Sequence, residues 1–265
     1  MPNPESVQVP AVADSATAAL RIDELRKDFG AKAAVDGVSL VVPAGSFFGL
    51  VGPNGAGKTT LLSMAVGLLR PDAGSVTLFG SDVWADPVAA KEVLGVLPDG
   101  LALPERLTGG ELLAFAGSIR GMAPEVVSER SAELLSVLEL DRDERTLVID
   151  YSTGMRKKIG LAVALLHRPR LLVLDEPLEA VDPVSAATVK AILRRFVDSG
   201  GSVLFSSHVM AVVEQLCDHV AVLSAGRVLS AGPMSEVGAG GLEQRFMELV
   251  GGEDTGAEGL RWLAT

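Results

Sequence analysis

Apolar and polar residues alternate in short stretches near the start of the chain, a pattern typical of half-buried β-strands. The clearest alternation lies in residues 20–25 and 38–42, and a denser apolar run over 46–51 ends at a glycine. From Lys58 the pattern becomes helical and stays apolar up to Leu69, and 74–79 is again typical of a strand. The first part of the chain is therefore predicted to be mostly β-structure interrupted by one helix.

The second part of the chain predicts helices interleaved with short buried strands. Residues 108–140 are mostly helical in pattern, and Thr108 followed by Glu111 predicts a capping box at their start. Further strands are predicted at 95–97, 171–174 and 202–205, and further helices at 152–167, 183–197 and 242–250. Such alternation indicates an α/β fold with a mostly parallel sheet and ligand sites at the carboxyl ends of its strands.

Composition narrows the class of protein. The chain has 265 residues, of which 48% are hydrophobic and 22% charged, enough for one large domain or two small ones. A net charge of −11 argues against nucleic acid as a partner, and one cysteine cannot form an internal disulfide. No apolar run is long enough for a membrane span, and residues 1–18 have no secretory pattern and are expected to be a disordered leader.

A phosphate-binding motif follows the predicted strand at 46–51. Residues 52–59, GPNGAGKT, match G-x-x-x-x-G-K-[ST] and precede a predicted helix, which argues against a chance glycine-rich turn. Backbone N–H groups of such a loop face phosphates, the lysine neutralises the β and γ oxygens, and the hydroxyl can hold Mg²⁺. The predicted nucleotide-binding residues here are Gly52, Pro53, Asn54, Gly55, Ala56, Gly57, Lys58, Thr59 and Thr60.

Two carboxylates end the apolar strand at 171–174. Alone, a strand followed by Asp175 and Glu176 is a common structural edge, but beside a phosphate loop it predicts a hydrolytic site. Asp175 would orient Mg²⁺ through water, and Glu176 would be the general base for the attacking water.

With these motifs the sequence resembles the ATP-binding cassette (ABC) family, because Tyr151–Met155 (YSTGM) stands where that family has its LSGGQ signature. The resemblance covers residues 20–250 and is nearest to the ATPase subunits of bacterial ABC-2-type exporters. Their helical insert opens with a segment like Leu107–Leu113, and their core closes with a helix like Leu242–Leu249.

The resemblance implies further site residues. Ser152 and Gly154 would cap the γ-phosphate of a nucleotide held by the opposite subunit, although Thr153 and Met155 depart from the family signature. His208 resembles the switch histidine that senses the γ-phosphate. Asp182 matches an aspartate that communicates across the dimer, and it is also a good helix cap.

Two positions near the predicted nucleotide carry open alternatives. Phe29 falls where the family stacks an aromatic ring on adenine, with core packing as the rival interpretation. Asp99 stands where the family has Gln; it could approach Mg²⁺ or its waters but cannot donate as an amide does, and a solvated turn residue is the alternative.

The resemblance implies a P-loop ATPase cassette of the α/β class, with a mostly parallel core sheet, an antiparallel β portion and a helical insert at about 100–158. We expect the cassette to span 19–234, followed by a C-terminal helix and flexible tail over 235–265.

The function implied is that of an ATP-hydrolysing subunit that dimerises, as a homodimer, around two ATP with Mg²⁺. It would power a separately encoded integral-membrane permease, as part of an exporter, from a peripheral position on the cytoplasmic face of the cell membrane. The alternatives are a soluble ABC-type ATPase that serves a cytoplasmic assembly, and an inactive ATP-binding regulatory subunit.

Overall fold

The computed structural model describes residues 18–100, 102–141 and 145–250. The first strand begins at Ala18, so the expected leader lies, apart from that residue, outside the described residues. Of the expected C-terminal helix and flexible tail over 235–265, residues 251–265 also lie outside them. No helix in the described ranges is both long and apolar enough to cross a membrane.

One sheet has four strands, all paired antiparallel, and forms the predicted antiparallel portion. Its strands are β1 Ala18–Phe29, β2 Lys32–Pro43, β4 Ala73–Leu78 and β5 Ser81–Asp82, in the order β2-β1-β4-β5. The alternation seen in the sequence matches one buried face, because every second side chain of a strand points to the same side. Leu20, Ile22, Val38 and Leu40 are among the buried residues.

The second sheet has six strands and supports the candidate site. They are β3 Phe47–Val51, β6 Leu94–Leu97, β7 Leu171–Leu174, β8 Ser202–Ser207, β9 His219–Ser224 and β10 Arg227–Pro233. The order is β10-β9-β3-β8-β7-β6, and only the β9–β10 hairpin is antiparallel. Strands β3, β7 and β8 are buried along their whole length, which explains why β3 and β7 contain no polar side chain. Strand β8 is also buried but contains three serines, Ser202, Ser206 and Ser207.

Helices cover this sheet and form the insert. They are α1 Lys58–Ala65, α2 Pro87–Val93, α3 Gly109–Ile119, α4 Pro124–Val137, α5 Thr153–Leu165, α6 Pro183–Asp198, α7 Met210–Leu216, α8 Met234–Val237 and α9 Leu242–Val250. The predicted helical stretch over 108–140 is two helices, because the chain turns at Gly121, whose φ is +66°. The predicted capping box between Thr108 and Glu111 is present.

Helix α1 is shorter than the sequence pattern predicted. The pattern runs to Leu69, but α1 ends at Ala65 because Gly67 adopts a φ of +75°. The N–H groups of Gly67 and Leu68 then close the helix by donating to the carbonyl oxygens of Met64 and Ser63. An apolar pattern alone could not show this stop, since Leu68 and Leu69 continue it.

Two apolar cores lie on opposite faces of the parallel sheet. Phe47 and Phe205 belong to one core and pack edge to face, with ring centroids 5.5 Å apart. Phe48 and Leu50 belong to the other core, which also contains the buried face of the antiparallel sheet. Because successive residues of β3 point into different cores, this strand fixes the position of the loop that follows it.

Candidate functional site

The phosphate loop joins β3 to α1 and lines a cleft of about 540 Å³. Residues 54–60 lie on its wall, and Gly52 and Pro53 connect them to β3. The buried Lys58 ammonium donates to the carbonyl oxygens of Gly52, at 2.8 Å, and of Pro53, at 3.3 Å. The ammonium is therefore held by carbonyl oxygens of the loop itself. From this position it can bind phosphate oxygens in their place.

Close backbone packing explains two of the loop glycines. A Cβ on Gly52 would lie 2.2 Å from the carbonyl oxygen of Leu223, and one on Gly57 would lie 2.3 Å from that of Ala34. Gly57 also has a φ of +104°, in the region that favours glycine. The loop's shape thus depends on contacts with β2 and β9 as well as on its own sequence.

The two carboxylates at the end of β7 differ in environment. The buried Asp175 accepts a hydrogen bond from the Ser206 hydroxyl at 2.5 Å, and the same hydroxyl accepts from the backbone N–H of Glu176 at 2.9 Å. Glu176 has a φ of +47°, a strained value for a residue with a Cβ. Its Oε1 lies 3.8 Å from the Lys58 ammonium, so the strain places the carboxylate at the phosphate loop.

His208 reaches the same carboxylate from the end of β8. Its Nδ1 lies 3.0 Å from Oε2 of Glu176, and about half of the side chain remains exposed. A carboxylate only accepts hydrogen bonds, so an ionised Glu176 requires the proton on Nδ1. The structure therefore brings Lys58, Glu176 and His208 together at one wall of the cleft.

Phe29 also lines the cleft, and it pairs with Lys32 where β1 meets β2. Its side chain is 54% exposed, so the core-packing alternative does not hold. The Lys27 ammonium lies 5.9 Å from the ring centroid. The open ring offers an aromatic face for a flat base.

The signature residues occupy a separate surface. Ser152 caps α5 by accepting from the N–H of Met155 at 3.2 Å, and Asp182 caps α6 by accepting from Val184 and Ser185. Hydrogen bonds, chiefly from Ser185, lower the pKa of the Asp182 carboxyl below its usual value. Within the described part of the chain, Ser152, Gly154 and Asp182 are not among the residues that line the cleft.

Asp99 is on the cleft wall and forms an ion pair. Its Oδ1 lies 3.3 Å from the Lys157 ammonium of α5, which also donates to the carbonyl oxygen of Asp175 at 3.4 Å. The side chain is half exposed, but it is not a simple solvated turn residue. Lys157 and Ser206 are two site residues that the sequence motifs did not single out, because each acts through a distant residue.

The chemistry of the donors fits Mg²⁺. In the ranges that the structure describes, no group of three or more His, Cys, Asp and Glu side chains could hold a metal ion by itself. Mg²⁺ is usually bound by one or two protein oxygens together with substrate phosphates and water. The Thr59 hydroxyl and the Asp175 carboxylate offer such oxygens beside the phosphate loop.

Replacing Ser206 with Ala should lower ATP turnover about tenfold, because the groups that orient a metal site or its ligands contribute about that much. The change leaves a buried carboxylate oxygen and the Glu176 N–H each short of one partner, at a cost of about 1–3 kcal/mol in unfolding free energy. Phosphate release and chemical denaturation measure the two effects. Ser202→Ala is the matched control, because this buried serine of β8 hydrogen-bonds to Gly45 at the far end of the strand. Equal losses of turnover in both variants would contradict a positioning role for Ser206.

A phosphate loop between a parallel strand and a helix, facing a strand that ends in two carboxylates, defines a P-loop nucleotide-binding protein. Comparison with known proteins gives the family: the ABC transporter family matches residues 35–179, more than half of the chain. The chain belongs to the ABC transporter family and is one of its ATPases, as the sequence motifs predicted.

Individual relatives agree with this family. The daunorubicin/doxorubicin resistance ATP-binding protein DrrA of Streptomyces peucetius is 38% identical over 221 residues, covering 83% of this chain and 67% of the relative. The linearmycin resistance ATP-binding protein LnrL of Bacillus subtilis is 34% identical over 218 residues, covering 82% and 70%. The Nod factor export ATP-binding protein I of a Rhizobium species is 36% identical over 214 residues, covering 81% and 70%.

Solved structures support the fold. A solved ATP-binding subunit of an ABC transporter superposes with a TM-score of 0.82 at 27% identity, covering 88% of this chain and 99% of that one. A nucleotide-free ATP-binding cassette from an ABC transporter gives a TM-score of 0.68 at 25% identity, covering 82% and 91%. The predicted α/β cassette fold is confirmed.

Proposed function

We propose that this chain is the ATP-hydrolysing subunit of an exporter, that it works as a homodimer around two ATP, and that it powers a separately encoded membrane permease. The observation that carries the proposal is the placement of Glu176, whose carboxylate lies within reach of both Lys58 and His208 at the phosphate loop. An acid in that position can take the proton of a water that attacks the terminal phosphate.

The residues that line the cleft would each contact a different part of ATP or of the hydrolytic site. The N–H groups of residues 54–60 and the positive end of α1 bind the phosphates, and Lys58 neutralises the β and γ oxygens. Phe29 stacks on the adenine. His208 holds Glu176 in orientation and contacts the γ-phosphate, whose loss it senses.

Mg²⁺, when bound, draws negative charge from the phosphate oxygens. Thr59 would hold it directly, and Asp175 would hold it through water, with the carboxylate oriented by Ser206. Asp99, which also lines the cleft, would approach the ion or its waters.

The homodimer is proposed because the signature residues lie away from the cleft of their own chain. Ser152 and Gly154 begin a helix whose N-terminus can bind a γ-phosphate, yet neither residue lines the cleft of its own chain. When two copies of the chain face each other, the signature of each copy contacts the nucleotide bound by the other. Two complete sites result. Asp182, at the start of α6, would communicate between them.

Export is supported by the relatives, one of which is a Nod factor export protein and two of which are linearmycin and daunorubicin/doxorubicin resistance proteins. We propose a peripheral position on the cytoplasmic face of the membrane, held by the permease. A net charge of −11 disfavours nucleic acid as the partner.

The test is a detergent pull-down of the tagged chain from its native membranes, followed by ATPase assays on the complex. We expect a stoichiometric multi-span protein that stimulates hydrolysis. The same pull-down with Lys58→Ala should recover the partner without the hydrolysis, because the docking surface is unchanged. Recovery of soluble proteins alone, with turnover intact, would replace the permease with a cytoplasmic assembly.

A further inference from the structure

The loop after β6 carries a carboxylate that the structure pairs with a lysine from the helical insert. Strands β6 and β7 are parallel neighbours, with Leu97 opposite Leu174, so Asp99 and Asp175 follow these two strands beyond the same carboxyl edge of the sheet. Lys157 on α5 contacts both, through the side chain of Asp99 and the carbonyl oxygen of Asp175. One ammonium thus connects α5 to the ends of two core strands.

The charges of the cleft wall explain why this lysine matters. Among the described residues that line the cleft, three carry carboxylates, Asp99, Glu176 and Glu179, and two carry ammonium groups, Lys32 and Lys58, beside the imidazole of His208. Lys58 is the ion-pair partner of Glu176. Asp99 is paired with Lys157, which does not itself line the cleft and whose side chain is only 12% exposed.

A triphosphate adds several negative charges to this wall. An unpaired carboxylate there would repel the nucleotide, whereas an ion pair presents little net charge. The low exposure of Lys157 makes the pairing less subject to screening by salt than a pair on the open surface.

We propose that Lys157 is a positioning residue of the nucleotide site: its ammonium holds and neutralises the Asp99 carboxylate, which allows this chain to carry an acid on that wall. The inference rests on the proposed function, because it assigns the charge balance of the same nucleotide cleft. It also makes Asp99 and Lys157 interdependent, so that a change in one alters the effect of changing the other.

The experiment compares the full chain with Lys157→Gln, Asp99→Asn and the double variant. The dissociation constant of ATP is measured by calorimetry, once in EDTA and once with Mg²⁺. We expect Lys157→Gln to weaken metal-free ATP binding about three- to tenfold, because the bare carboxylate repels the more highly charged nucleotide. The loss should be smaller with Mg²⁺, and Asp99→Asn in the same chain should restore affinity to within about twofold of the parent.

Lys91→Gln is the matched control, because it removes the same charge from an exposed position on α2, which precedes the amino end of β6. It should leave both dissociation constants unchanged. A double variant as weak as Lys157→Gln alone, or a Lys157→Gln chain that binds like the parent, would overturn the inference and leave the proposed function standing. A parent chain that binds no ATP would overturn both.

Discussion

Glu176→Gln should reduce ATP turnover by about two to four orders of magnitude while ATP binding persists, which is the usual range for loss of a general base. The amide keeps the size of the side chain but cannot take a proton from water. It also removes a negative charge 3.8 Å from the Lys58 ammonium, which leaves that lysine available to phosphate. We therefore expect ATP to be retained and to hold the two copies of the proposed homodimer together.

Two measurements separate these effects. Phosphate release gives the loss of turnover, and gel filtration with MgATP gives the fraction of dimer, which should rise in the variant. Glu92→Gln makes the same chemical change at an exposed position on α2 and should match the parent in both assays. If Glu176→Gln hydrolysed ATP at the parent rate, Glu176 would not be the general base.

Gly57→Ala should abolish measurable ATP binding and lower the free energy of unfolding by about 2–4 kcal/mol. The new Cβ would lie 2.3 Å from the backbone carbonyl of Ala34, and the φ of +104° is unfavourable for alanine. Because the obstacle is backbone of β2 rather than a flexible side chain, the loop itself has to move. The N–H groups that should face the phosphates move with it.

Gly55→Ala separates conformational strain from this clash. Gly55 also has a positive φ, +79°, but a Cβ there would meet nothing within 4 Å. We expect it to lose only about 1–2 kcal/mol in unfolding free energy and to keep measurable ATP affinity. Gly110→Ala on α3, where a Cβ again meets open space, should leave ATP affinity unchanged and raise the free energy of unfolding by up to about 1 kcal/mol. Denaturant titration measures the unfolding free energy of all three variants, and calorimetry measures their ATP affinity. Equal ATP binding by the Gly55 and Gly57 variants would contradict the clash.

Local chemistry explains how much of the site the sequence predicted. Residues 52–59 are contiguous, and their spacing is set by the turn that binds phosphate, so the motif is visible without the fold. Asp175 and Glu176 are equally visible, because they follow a strand whose four residues are all buried. Ser152 does not line the cleft of its own chain, and its place in a composite site stays a prediction from the family resemblance.

The sequence was a poorer guide wherever partners are distant along the chain. Ser206 lies 31 positions from Asp175, and Lys157 lies 58 positions from Asp99, so no spacing rule connects them. Phe29 ends β1 and is 54% exposed, and its apolar side chain alone does not distinguish this position from one in the core. The end of α1 was misjudged because the apolar pattern continues past the glycine that ends the helix.

The sequence by itself determined the α/β class, the phosphate loop, the two carboxylates after β7 and the family, because each is encoded in contiguous residues or in a fixed spacing. Only the tertiary structure decided which charges meet. It paired Glu176 with Lys58 and His208, joined Asp175 to Glu176 through Ser206, and placed Lys157 behind Asp99. The physical reason is that these contacts arise where strands from separate parts of the chain end at one edge of a parallel sheet, and strand order is set by packing of the whole core.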